Sequence, residues 1–590
     1  MSYKKFKGKI VPVMDLTYDL SCSFHKPETL KKKFRALAEL GFKSINIVAP
    51  AGNVDCTNAG RISFLPENDN NHLADSCAQF KNPFKDAVAL AKQAGLKVYA
   101  IFKPYEGGGV FTVPKGHHLF PGRSQVKCLG GTTQVAPFIT RHPKWRLKRK
   151  NSGKDDFRLP VTNLEFAFLL DKLPLSKSNG KEFPAISSEK VLRSPQWRAE
   201  LYVSDDNAGY SKLETSPVIK RAIKRIRITD ANGFTLISSA RCLVVILSGF
   251  KIKNRFMAVR FYGGEHRLLI LPNSMLRVKS GARVLKTTIS PTLRYQPSIT
   301  REFKKNPPVP GDFKTCGFEF AESWPGGYGW WEWDVFGIAR GYEPYIRGCL
   351  CEAVPDVRRY WLDCIKTIMD YGCDGLDIRL LSHCSGIRDF FNYGYNEEIL
   401  KVFQRRFGRL PGCGRNDFLK IMRLRGDFFL KFLKDARKML HERGCTFQFH
   451  LRACMCRPSL GPTYHENGFW AMPKILSDWK QIVKMSDRII LSDNLSGSHY
   501  KGARKNVALP VKRYAAKLGK KVWTYCYLQQ GNSFNRKFLN DFAADPHVEG
   551  LYLYEVVYNK REDDGILEVV NPARVRVVQK HKHLFKELLK

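Results

Sequence analysis

The sequence predicts an α/β fold: a (β/α)8 barrel interrupted between its third and fourth strands by an inserted antiparallel β-domain. Three observations predict it. Eight short apolar, β-branched runs occur, three near the start of the 590-residue chain and five near its end. Amphipathic stretches of helical period separate them, with Gly between helix and strand. After the third run the helical period stops, and strand-like runs with Asn-Gly, Ser-Gly and Gly-Gly turns take over.

The eight predicted barrel strands are IVPVMDL (10–16), SINIVAP (44–50), KVYAIFK (97–103), GLDIRLL (375–381), TFQFHL (446–451), RIILSD (488–493), KVWTYCYL (521–528) and GLYLYEVV (550–557). The first helical stretch, PETLKKKFRALAELG (27–41), puts Leu30, Phe34, Leu37 and Leu40 on one face and stops at Gly41. DAVALAKQAG (86–95), VRRYWLDCIKTIMDYG (357–372), RGDFFLKFLKDARKMLHERG (425–444) and VKRYAAKLGK (511–520) repeat the pattern. With strands alternating in this way a TIM barrel is expected, and a doubly wound open sheet is its structural competitor.

The inserted β-domain is predicted at 141–310, leaving 1–140 and 311–590 to the barrel. Its strands are read from AELYVS, IKRIRITD, RCLVVILS, NRFMAVRFYG and HRLLILP, and NPPVPGD (306–312) is read as the return linker. Charge concentrates here. The formal net charge of the chain is +43, and residues 141–310 hold 34 Lys+Arg against 13 Asp+Glu, a net of +21. Charge of this kind speaks to partners and solubility, not to fold. It predicts a surface for a polyanion, either nucleic acid or a sulfated or uronate polysaccharide, against the plainer reading of a solvated basic face.

Composition excludes several classes. A hydrophobic content of 43% with 39 Phe, 23 Tyr and 10 Trp rules out global disorder, collagen and coiled coil. No apolar run approaches the ~20 residues of a bilayer span. The N-terminal MSYKKFKGKIVPVMDL lacks the apolar stretch of a signal peptide, so a cytoplasmic location is expected. The 16 Cys are read as buried thiols, because Cys349/Cys351 and Cys454/Cys456 are CxC pairs and not CxxC knuckles. His117-His118 lacks a ligand partner at metal spacing. No metal is expected, and with neither a phosphate loop nor a dinucleotide-binding glycine motif, no organic cofactor either.

In a barrel of this kind the reactive groups stand where strands end, on the C-terminal face. Strand one ends at Asp15 and strand three at Lys103. Strand four supplies Asp377 and Arg379, followed by His383; strand five supplies His450 and Arg452. Strand six ends at Asp493, strand seven carries Trp523 and Tyr525, and strand eight ends at Glu555. Asp377, Asp493 and Glu555 are therefore carboxylates at the catalytic end of otherwise apolar strands. Partial desolvation there raises an acid's pKa unless a cation pairs with it, which is what general acid and base work at neutral pH requires. Asp377 pairing with Arg379 or Arg452 is the structural alternative, and Asp374, which begins its strand, is assigned a loop or capping role. A Gly-rich loop, ESWPGGYGWWEWD (322–334), offers Trp330 and Trp331 for stacking on sugar rings or bases, or as a self-packed plug.

These residues resemble a known group. RHPKW (141–145), EAVPDVRRYWLDCIKTIMDYGCDGLDIR (352–379), YGYNEEILKVFQRRFG (393–408) and RGDFFLKFLKDAR (425–437) are similar to bacterial glycoside-hydrolase-like TIM barrels, the glycosyl hydrolase-like family 10 group and its relatives. The likeness covers roughly 1–140 and 310–590. Two departures stand out. Arg379 occupies a place where the group often has an acid, and Asn396-Glu397 comes some fifteen residues after strand four, so Glu397 is assigned to a helix start.

The resulting expectation is a glycoside hydrolase cleaving a glycosidic bond in an oligo- or polysaccharide, anionic ones included, with two carboxylates at the barrel mouth. Glu555 is the expected general acid and Asp377 or Asp493 the nucleophile or base. Arg379, His383, His450 and Arg452, with Asp15, would position sugar hydroxyls or anionic groups, and Trp330, Trp331, Trp523 and Tyr525 would stack on rings. Carbohydrate is the expected partner, neither nucleic acid nor membrane. The alternative is a barrel without catalysis that binds a polyanion through the basic insert.

Overall fold

The computed structural model describes chiefly residues 9–16, 24–49, 78–105, 142–150, 158–170, 198–204, 211–229, 235–262, 276–290, 335–340, 345–380, 393–451, 475–491, 505–527, 536–554 and 582–589. Eight parallel strands close into one barrel: Ile10–Asp15, Ser44–Val48, Lys97–Phe102, Gly375–Arg379, Thr446–Leu451, Arg488–Leu491, Val522–Tyr527 and Val548–Tyr554. Strand one pairs with strand two on one side and strand eight on the other, so the sheet has no edge. The doubly wound alternative is thereby excluded. Each strand is followed by a helix, from Pro27–Leu40 after the first to Lys582–Leu589 after the eighth.

The first helix stops as its sequence predicts. Gly41 adopts a left-handed φ of 106°, and its N–H reaches the Ala38 carbonyl at 2.9 Å. A Cβ at Gly41 would lie 2.6 Å from the Leu589 carbonyl oxygen, so this glycine also lets the last helix dock beside the first.

Period two sorts the strand residues into two cores. Ile45, Ile47, Val98, Ala100, Leu376, Ile378, Phe447, Phe449, Leu551 and Leu553 pack outward against the helices. Val11, Val13, Val48, Ile101, Ile490, Trp523 and Tyr552 form a separate cluster that fills the lumen.

Between strands three and four lie two five-stranded antiparallel sheets. Their inner faces share one core, in which Leu164, Phe166 and Phe168 of one sheet meet Leu201, Met257, Val259 and Ile338 of the other. Strand Val335–Arg340 pairs with Phe256–Tyr262 and Thr287–Ser290, which carries the antiparallel sheets past the expected edge at residue 310. The six residues VFGIAR are too short to display an alternation that the sequence alone could assign. HRLLILP lies outside the described residues.

The neck of the insert is tied to the barrel loops. Arg146–Lys148 pairs with Tyr345–Leu350. The Asn396 side chain accepts from the Lys148 N–H at 2.8 Å and donates to the Arg146 carbonyl at 2.8 Å. Asn396 is thus the residue before helix Glu397–Phe407 and a clamp on the neck, with Glu397 and Glu398 in the first helical turn as the dipole favours. Among the described residues, no helix is long and apolar enough to cross a membrane. Five of the described cysteines, Cys242, Cys349, Cys351, Cys364 and Cys373, are buried thiols.

Candidate active site

The lumen holds a run of polar side chains at inward positions of apolar strands. Asn46, Tyr99, Asp377, Gln448, Arg488 and Tyr552 occupy it, and above them, toward the strand ends, stand Lys103, Arg379 and His450.

Asp377 is fully buried. Arg379, two residues on and therefore on the same face, donates Nε and Nη2 to Asp377 Oδ2 at 2.9 and 2.8 Å. Asn46 Nδ2 approaches the same oxygen at 3.5 Å. Asp377 Oδ1, Asn46 Oδ1 and Gln448 Nε2 are buried without a hydrogen-bond partner. A native fold seldom leaves such atoms unsatisfied except where a water, a ligand or chemistry uses them. Burial raises the Asp377 carboxyl above the usual carboxylate range, an effect that the Arg379 charge and hydrogen bonds oppose.

Deeper in the barrel, Arg488 lies over the Trp523 ring at 4.0 Å and the Tyr99 ring at 5.4 Å. Its Nη1 donates to Tyr552 Oη at 2.9 Å, and Tyr552 Oη donates to Gln448 Oε1 at 2.7 Å. The Trp523 ring meets Tyr552 edge-on at 5.4 Å. A Cβ on Gly550 would lie 2.4 Å from Trp523 Cζ3 and 2.6 Å from the Lys9 carbonyl oxygen, so the Trp523 ring occupies the end of the lumen where strands one and eight begin. The Trp523 ring is thus placed at the strand starts, where its neighbours are protein groups, and not at the mouth where a stacking residue was expected.

Of the residues singled out by sequence, the structure brings together Asp377, Arg379 and His450, with Asp15 at the end of strand one. Tyr525 lies on strand seven. His383, Arg452, Asp493, Glu555, Trp330 and Trp331 lie outside the described residues. Asp374, ahead of strand four, ties to the start of strand three: its carboxylate accepts from the Val98 N–H at 2.8 Å.

Sequence reasoning passed over Asn46, Tyr99, Gln448, Arg488 and Tyr552. The signal was there: SINIV, TFQFHL and RIIL each carry a polar residue in phase with the lumen-facing set. Glu352 was passed over as well. It is fully buried, bonds Arg425 at 2.6 and 3.2 Å and accepts from Tyr105 Oη at 3.1 Å. Tyr105 in turn packs edge-on against Trp361 at 5.2 Å, which belongs to the layer between helices and barrel. That cluster is structural.

No family model matches the chain, and no curated protein matches it. Solved structures similar to it include the catalytic domain of beta-amylase from Paenibacillus polymyxa, with TM-score 0.33 and 8% identity over 93% of this chain and 92% of that one. Isomaltulose synthase from Klebsiella sp. LX3 is similar with TM-score 0.32 and 9% identity, over 100% of this chain and 72% of that one. The trehalulose synthase from Pseudomonas mesoacidophila MX-45 gives TM-score 0.31 and 8% identity, over 99% and 71%. Likeness at this level carries no argument, and the barrel rests on its own strand pairing. No family model matches in support of the resemblance to the family 10 group.

Proposed function

We propose that the chain is a glycoside hydrolase acting on an oligo- or polysaccharide at the C-terminal mouth of the barrel. The observation that carries this reading is Asp377: a fully buried lumen carboxylate with one oxygen held by Arg379 and the other without a partner. Glycoside hydrolysis uses two carboxyl groups, one to protonate the leaving oxygen and one as nucleophile or base. Asp377 takes the second role in this reading, with Asp493 as the alternative for it, Arg379 orients Asp377, and Glu555 supplies the acid. Arg379, His383, His450, Arg452 and Asp15 position the sugar, and Trp330, Trp331 and Tyr525 stack on its rings.

The test is Glu555→Gln, which is isosteric and cannot donate a proton. Turnover of an unactivated glycoside falls by about 10²–10⁴-fold, and an aryl glycoside with a good leaving group suffers less. Equal loss on both substrates removes Glu555 from the acid role.

A second reading, polyanion binding through the insert, is favoured by one feature. Strand Val218–Thr229 lies at the edge of its sheet and carries Lys220, Arg221, Lys224, Arg225 and Arg227 with no acid. Arg225 stands directly opposite Arg241. Like charges in that register repel, which an anionic partner would relieve.

A further inference from the structure

We propose that Asn46 and Gln448 hold a water molecule against Asp377 Oδ1, and that Asp377 takes its proton as it attacks the sugar, so that hydrolysis inverts the anomeric centre. This rests on the glycoside-hydrolase reading of the same site. It adds the role of Asp377, two positioning residues and the stereochemical outcome.

Three neighbouring side chains carry the argument. Asp377 is the register partner of Gln448 on the next strand, and Asn46 reaches Asp377 from strand two, with Nδ2 at 3.5 Å from Oδ2. All three are fully buried. Among the described residues, Asp377 Oδ1, Asn46 Oδ1 and Gln448 Nε2 have no hydrogen-bond partner. The orientation of each amide follows from what it faces. Asn46 turns its donor toward a carboxylate oxygen, which would repel its own oxygen. Arg488 can only donate, so Tyr552 Oη accepts from it and gives its own proton to Gln448 Oε1. Gln448 Nε2 is therefore the donor left over.

The set asks for a guest that donates twice and accepts once. A water does this, and buried waters make about three such bonds. A sugar hydroxyl has one proton and serves only one of the two acceptors. An ammonium ion has no lone pair for Gln448.

Depth separates base from nucleophile. Arg379 and His450 stand one inward step nearer the mouth on the same two strands, about 6–7 Å along them. Asp377 lies beneath with no exposed surface. A nucleophilic carboxylate must itself touch the anomeric carbon, whereas a base acts through a water small enough to lie between. Arg379 holds Oδ2 and leaves Oδ1 to the water. In the step, the water oxygen bonds to the anomeric carbon as the bond to the leaving oxygen breaks. Asp377 takes one water proton, and the leaving oxygen takes a proton from the acid, Glu555 in this reading. Burial, which raises the Asp377 carboxyl, makes it the stronger base.

A crystal structure of the full chain and the stereochemistry of its product test the two halves. The lumen shows a water within about 3.2 Å of Asp377 Oδ1, Asn46 Oδ1 and Gln448 Nε2. Proton NMR identifies the first anomer released from α- and β-4-nitrophenyl glucosides, galactosides, xylosides and glucuronides, and it is the inverted one. Gln448→Met and Asn46→Leu each lower kcat about tenfold or more with KM little changed, because the water acts in the transition state. Thermal melts confirm that each variant is folded. A lumen without that water, or folded variants with unchanged kcat, overturns the proposal. A product of retained configuration overturns it too and leaves the hydrolase standing. The water with no cleavage of any glycoside sinks the hydrolase reading and the base role together, and leaves Asn46 and Gln448 as partners of a structural water.

Discussion

Asp377 and Arg379 stand two residues apart on one barrel strand, and both guanidinium donors converge on a single carboxylate oxygen, Oδ2, while Oδ1 stays buried and unpartnered. The pair makes opposite demands on its two members, and two substitutions separate them. Removing the cation by Arg379→Met strands a buried carboxylate and costs about 3–5 kcal/mol at neutral pH. The sign with pH follows from burial, which holds the Asp377 carboxyl above its unfolded value. A group raised in this way stabilises the fold below its unfolded pKa, and that contribution is lost as pH rises through the folded value. Denaturant melts of Arg379→Met therefore show a smaller loss near pH 4 than at pH 7. A loss independent of pH would mean that Asp377 does not titrate there.

Asp377→Asn behaves differently. It keeps the shape and one acceptor oxygen while removing a charge that burial disfavours. Stability at neutral pH falls by about 1–3 kcal/mol, less than for Arg379→Met, because the buried Arg379 keeps an acceptor oxygen but loses its counter-charge, while turnover of a glycoside by the folded protein falls by about 10²-fold or more. A variant that unfolds and loses activity together would make Asp377 a structural residue.

The lower lumen is sealed by a contact that only glycine allows. Gly550→Ala drives a methyl group into Trp523 Cζ3 and the Lys9 carbonyl oxygen, whose positions leave 2.4 and 2.6 Å. The expected cost is about 1–3 kcal/mol, with a shift in tryptophan fluorescence as the ring leaves Arg488. Melting temperature and emission maximum, read together, check it.

Among the described residues, Glu352 and Arg425 make a second fully buried ion pair, with contacts of 2.6 and 3.2 Å, and theirs supports helix packing. Glu352→Ala leaves Arg425 buried without its partner and costs about 3–5 kcal/mol, yet the folded fraction keeps its kcat. A loss of kcat in fully folded protein would place Glu352 in the chemistry.

The edge strand of the insert supplies a salt test. Retention on a heparin column weakens steeply with ionic strength if the strand binds a polyanion. Changing Lys220, Arg221, Lys224 and Arg225 together to Ala removes most of that retention and leaves glycoside turnover intact. Unchanged retention shifts attention to another basic stretch of the insert, KIKNRFMAVR, with Lys251, Lys253, Arg255 and Arg260.

The sequence by itself determined the barrel. Its eight strands were legible because each is a short β-branched run closed by a helix with its own stop, as Gly41 shows, and such local patterns need no partner to be read. It also determined that Asp377 and Arg379 share a face, since period two is a property of one strand. What it could not determine is which polar residues meet across strands. Asn46, Gln448, Arg488 and Tyr552 come from four strands spread over some 500 residues, and only barrel closure places Arg488 on Trp523 or brings Tyr552 to Gln448. The extent of the insert was hidden for the same reason: Val335–Arg340 belongs to the sandwich by hydrogen bonds to strands far away in sequence. Local periodicity is set by backbone geometry and is written residue by residue, whereas a lumen and a sheet edge are set by long-range pairing, which exists only once the chain has folded.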